Sequence, residues 1–109
     1  RYAFEALTLF ERTGDRDGVA TAIAELAHVA TGRGDALRGA RLASAAIAVW
    51  EQVGSPPVDA ERERFDAWRE RMRAALGDDF EAAWSEGSRM TAEQAASYAR
   101  GEASELALL

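Results

Sequence analysis

The sequence has no cysteine, no lysine and no asparagine, and it holds one histidine and two prolines. Without cysteine there is no disulfide framework and no thiolate to act as nucleophile or metal ligand. Small secreted domains often depend on such staples, so a cytoplasmic location is expected. The lone His28 has Glu25 three residues before it, and that pair cannot supply a three- or four-ligand metal site. No apolar run approaches the ~20 residues of a spanning helix. The nearest stretch, Val19 to Ala30, is interrupted by Thr21, Glu25 and His28. No signal-peptide pattern is visible either. No segment alternates apolar and polar residues with β-branched enrichment, so no sheet is expected. The chain opens on Arg1 rather than Met and is read as a segment of a longer protein.

What is present favours helix. Alanine is abundant and every basic residue is arginine, and both are strong helix formers. The formal net charge is -6. An acidic segment does not grip a phosphate backbone, which demands clustered positive charge, so no direct nucleic-acid contact is expected.

Glycine and proline punctuate six helical stretches. The first runs from Arg1 to Thr13, with Ala3, Ala6, Leu7 and Phe10 in one apolar stripe, and Gly14 ends it. The second covers Asp17 to Thr31, with Ile23, Leu26, Ala27 and Ala30 on one face. The third begins behind Asp35, a good N-cap, and continues to Gln52. It is apolar on two faces. Ala36, Gly39, Ala40, Ala43, Ala46, Ile47 and Trp50 lie on one, and Leu42, Val49 and Val53 on the other. Such a helix is sandwiched between neighbours. Gly54-Ser55-Pro56-Pro57 stops it. The fourth spans Asp59 to Leu76 and turns Phe65, Trp68, Met72 and Leu76 inward. The fifth, Asp78 to Glu86, has Phe80, Ala83 and Trp84 inward and ends at Gly87. The sixth starts at Thr91, where Thr91 and Gln94 fit a capping box, and reaches Tyr98 to Arg100. Residues 101–109 are expected to fray.

An offset of forty residues superimposes Ala3 on Ala43, Ala6 on Ala46 and Leu7 on Ile47. It also lays Phe10 on Trp50, Glu11 on Glu51 and Gly14 on Gly54. Such self-similarity signals a helical repeat. Leu26-Ala27, Gly34-Asp35, Gly39, Ala46 and Ile47 resemble a tetratricopeptide repeat, with Ile23 and Ala30 where that family has aromatic residues. The small residues Ala27, Gly39 and Ala46 would let two antiparallel helices approach, and Gly34 would turn the chain. The resemblance implies an all-α fold of antiparallel hairpins, a fragment of right-handed α-solenoid. Residues 1–54 would form one and a half degenerate repeats and residues 55–100 a helical cap, together one structural domain. The first helix would be the second half of an interrupted repeat, its stripe exposed. That exposure predicts pairing of the isolated segment with a second copy.

The carboxyl-terminal half carries a second resemblance. Its landmarks are A-L-R-G-A-R-L at Ala36–Leu42, V-G-S-P-P-V-D-A-E-R-E-R-F at Val53–Phe65, A-A-L-G-D-D-F-E-A-A-W-S-E-G at Ala74–Gly87 and M-T-A-E-Q-A-A-S-Y-A at Met90–Ala99. It resembles the carboxyl terminus of bacterial ATPase-type transcriptional regulators, the LuxR-type large ATP-binding (STAND) proteins. The resemblance implies a sensor and scaffold role, with other domains of the parent chain, a protein partner or a small-molecule effector as what it meets. A stand-alone helical adaptor is the other reading. ATP is implied only for the parent, because no G-x-x-x-x-G-K-[ST] loop occurs here.

Chemistry-bearing residues are sparse. The serines lack a His–acid set, so no hydrolase triad and no enzymatic activity are expected. Asp78-Asp79 begin a helix, where negative charge complements the dipole. Trp50, Trp68 and Trp84 with Phe65 and Phe80 make either an aromatic pocket or the core joining the repeat to the cap. Arg62, Arg69 and Arg73 share one helix flank and are the candidates for meeting an anion or acidic partner. Interleaved acids, such as Asp66 four residues after Arg62, favour a solvated face instead.

Overall fold

The computed structural model describes residues 2–54 and 59–101. Its elements are α1 (Tyr2–Thr13), α2 (Arg16–Gly32), α3 (Ala36–Val53), α4 (Asp59–Leu76), α5 (Asp79–Ser88) and α6 (Ala92–Ala99). No strand occurs among the described residues. The Pro56-Pro57 stop and the tail from residue 102 lie outside them.

Local chemistry sets most helix ends. The Asp15 carboxylate accepts from the Gly18 amide at 2.9 Å and starts α2 one residue before the expected Asp17. Asp35 accepts from the Arg38 amide at 3.1 Å and starts α3. Thr91 and Gln94 form the reciprocal capping box of α6, at 3.0 and 2.9 Å. Gly14 and Gly54 end α1 and α3 with φ of 73° and 72°, a left-handed conformation that glycine adopts without a Cβ penalty.

The tightest packing is the antiparallel pair α2–α3. It is lined by small residues, with Ala20, Ala27, Ala43 and Ala46 fully buried. At Gly39 a Cβ would collide with the Thr31 hydroxyl, so glycine there sets the separation of the hairpin. A second close approach joins α1 to α2, where the Phe10 ring lies against Gly18. The α1 stripe is therefore covered rather than exposed: Ala3 and Leu7 are buried and Ala6 and Phe10 half-buried. Tyr2, Phe4 and Leu9 are the large apolar residues that α1 turns outward, at 79%, 39% and 58% exposure.

Gly87 does not end α5. The helix continues to Ser88, and Gly87 is buried in the interface with α3. A Cβ there would strike the Ser44 Oγ and the Arg41 carbonyl. The glycine is needed for contact, not for a turn. Helix α5 consequently packs closely on α3, while α4 makes a looser connection to both. Phe80 and Ala83 of α5 and Trp68 and Met72 of α4 complete the core begun by Leu7, Ile23, Leu42 and Val49. Val53, expected on a buried face, is 36% exposed.

Helix α6 turns back across the molecule onto α2 and α3. Arg38 donates to the Tyr98 and Ala99 carbonyls at 3.0 and 2.6 Å, placing a cation on the helix's negative end. Arg100 donates to Thr8 and Glu11 of α1, and Arg16 pairs with Glu93 at 3.7 Å. These contacts join opposite ends of the chain, whereas stacked repeats contact mainly their neighbours.

Candidate functional site

The three flank arginines separate in the structure. The Arg69 guanidinium lies 4.5 Å from the centre of the Trp84 ring, and that of Arg73 lies 4.5 Å from the Phe80 ring. Arg73 also donates to Glu81 at 2.8 Å and approaches Glu70 at 3.6 Å. Both side chains hold α4 to α5. Arg62 is exposed and, among the described residues, makes no ion pair or ring contact. Among the described residues, the anticipated Arg62–Asp66 pair is not formed.

The aromatic residues divide in two. Phe80 and Trp84 stack within α5 at 5.4 Å, under the two arginines. Trp50, Phe65 and Trp68 form the other group, joined by His28. The Trp50 and Phe65 rings meet edge to face at 5.6 Å, and Phe65 and Trp68 are 5.4 Å apart. His28 stacks on Trp68 at 3.8 Å with 13° between the planes. The fivefold aromatic set is thus partly core and partly pocket wall. Phe80, Trp68 and Trp50 are buried and Phe65 is half-buried, and Trp50, Phe65 and Trp68 line an open groove.

That groove has a volume of about 410 Å³, within the range of small-molecule sites. Helix α2 contributes Thr21, Ala24, Glu25 and His28, spaced to fall on one helical face. Helix α3 contributes Trp50, and α4 contributes Arg64, Phe65 and Trp68. Trp50 is fixed by its indole N–H, which donates to Asp17 at 2.7 Å. Desolvation beside Trp68 lowers the His28 pKa from its ordinary value. Arg71 lowers it further, and Glu25 opposes both. The balance of these effects favours the neutral imidazole. Glu25 and Arg64 stand on opposite walls, and neither belongs to an ion pair among the described residues.

A second groove, of about 450 Å³, has a floor that includes Leu26, Val29 and Leu42. Its Arg38 is already engaged with the end of α6. Among the described residues, no three His, Cys, Asp or Glu side chains are placed to hold a metal ion. No described helix is long and apolar enough to cross a membrane.

The sequence names the rings and His28 but not their grouping, and it does not single out Arg64. Arg64 carries one signal that could have found it: it precedes Phe65 on α4, four residues before Trp68. Comparison with known protein families, with curated proteins and with solved structures finds no match to this chain.

Proposed function

We propose that the chain is a non-catalytic sensor and interaction scaffold, the carboxyl-terminal module of a bacterial ATPase-type transcriptional regulator, and that the α2–α4 groove is where it receives its effector. One observation carries this reading. The rings of α5 and α6 and the guanidinium groups of Arg38, Arg69 and Arg73 that pack on them are engaged in holding the helices together, whereas the groove leaves Glu25, Arg64 and its aromatic walls available. The α2–α3 hairpin, with Gly39 at its close approach, supports the tetratricopeptide-like part of the reading. The same groove favours a small-molecule effector over a partner that needs a broad flat surface.

The test places Thr21→Trp in the full parent regulator. Thr21 is exposed at the groove, and among the described residues its hydroxyl donates to the Asp17 carbonyl of its own helix, at 3.1 Å. An indole there fills the opening without entering the core. Loss or permanent engagement of the transcriptional response is expected, with unchanged protein level. An unaltered response contradicts the reading, as does an upstream coding frame that encodes no nucleotide-binding core.

A further inference from the structure

The groove is lined by one acid, Glu25 of α2, and one base, Arg64 of α4. On α2, Asp17, Thr21 and Glu25 recur at intervals of four, so both acids share the face that carries Thr21. On α4, Arg64 and Arg71 flank Trp68 at intervals of four and three, which puts both bases on one side of that helix, with Arg64 at the groove. Asp17 is held by the Trp50 indole, and Arg71 acts on His28. Glu25 and Arg64 are the charges left at the groove itself. The groove is also lined by the rings of Trp50, Phe65 and Trp68 and the imidazole of His28.

Resting on the scaffold reading above, we propose that this groove binds a small zwitterion whose cationic end is an alkylated ammonium and whose anionic end is a carboxylate or similar acid group. The ammonium lies among the aromatic rings and toward Glu25, and the acid group toward Arg64. Aromatic rings attract a cation through their quadrupole, most strongly where water is displaced. An alkylated ammonium suits these walls better than a primary one. It has no N–H groups that would be left unsatisfied against apolar carbon. A simple cation would leave Arg64 uncompensated and a simple anion would leave Glu25 so. A ligand carrying both charges matches both walls and keeps the groove neutral. The shift of His28 toward its neutral form fits this ligand as well, since a charged imidazole would repel the cationic end.

The experiment is calorimetric titration of the full 109-residue chain with three probes. Glycine betaine carries both charges. Its carbon counterpart, tert-butylacetate, has the same shape without the cation, and choline has the cation without the acid. Betaine is expected to bind one per chain, with tert-butylacetate about tenfold weaker. Glu25→Gln should weaken betaine severalfold. Arg64→Gln should weaken betaine but leave choline unchanged. Both positions are exposed, so circular dichroism should show an intact fold in each variant. Equal affinity for betaine and tert-butylacetate would overturn the proposal by showing a merely apolar groove. Absence of saturable betaine binding to the folded chain would overturn it too. Either failure leaves the scaffold reading to be decided by Thr21→Trp in the parent. Conversely, betaine binding with an unaltered Thr21→Trp response would remove the scaffold reading and keep the ligand.

Discussion

Replacing Gly87 by alanine separates local propensity from tertiary packing, because the two predict opposite signs. Within a helix, alanine is favoured over glycine by about 1 kcal/mol. Propensity alone therefore predicts a stabilised protein. The structure predicts the reverse. The new methyl group would lie well under 3.0 Å from both the Ser44 Oγ and the Arg41 carbonyl oxygen, with the carbonyl carbon at 2.8 Å. The hydroxyl could turn away, but the carbonyl belongs to the backbone of α3. Relief requires α3 and α5 to part by roughly an ångström, which forfeits a quarter to a half of the dispersion energy of each pair so separated. Phe80 and Ala83, both at 0% exposure, lie on the element that must move. Overpacking of this kind costs about 1–3 kcal/mol. The upper part of that range outweighs the propensity gain, leaving net destabilisation of about 1–2 kcal/mol and a melting temperature lower by roughly 5–15 °C. Urea unfolding followed by circular dichroism measures the change. Gly32→Ala is the control, since nothing lies within 4 Å of its added methyl and α2 reaches that residue. It should be neutral or slightly stabilising. A Gly87→Ala protein as stable as the parent would refute the assigned α3–α5 interface.

The Trp50–Asp17 hydrogen bond should show a coupling of about 1 kcal/mol in a double-mutant cycle of Trp50→Phe and Asp17→Ala read by urea unfolding. Additive single effects would mean that the indole is not held there. A pH effect follows from His28, whose pKa is lowered by burial and by Arg71. The unfolded chain then binds the proton more readily than the folded one below the ordinary value of 6.5. Stability contributed by the neutral imidazole is complete above that value and is lost as the pH falls through the folded pKa. Wild-type melting temperature should therefore drop more between pH 7.5 and 5.5 than that of His28→Gln, the two pH values being chosen about one unit either side of the free imidazole. Parallel curves would contradict the packing of His28 on Trp68.

Helix ends and interior faces were largely legible in the sequence because they depend on neighbours in the chain. Asp35, Thr91 with Gln94, and the glycines at 14 and 54 act on amides and carbonyls within a turn or two of themselves. The apolar order Phe65, Trp68, Met72, Leu76 likewise marks the inner side of α4. Gly87 was misread because a helix stop and a close helix contact use the same residue, and only the position of Ser44 distinguishes them. The return of α6 to α1, through Arg100, joins residues about ninety positions apart, which no local pattern encodes. The same holds for the candidate site. Arg69 and Arg73 were identifiable as one flank, but their engagement with Trp84 and Phe80 depends on where α5 docks. His28 has no chemical partner nearby in sequence, and its role as a groove wall comes from stacking on a residue forty positions later.

The open aromatic groove of α2, α3 and α4 is the central feature, and His28 reports on it directly because it is the one histidine in the chain. Proton NMR of the imidazole is the simplest measurement. Stacked at 3.8 Å on Trp68, its ring protons should be displaced upfield by the indole and should show nuclear Overhauser contacts to Trp68 and Phe65. Imidazole resonances at the positions of an unstructured histidine, without those contacts, would contradict the groove and the function proposed for it.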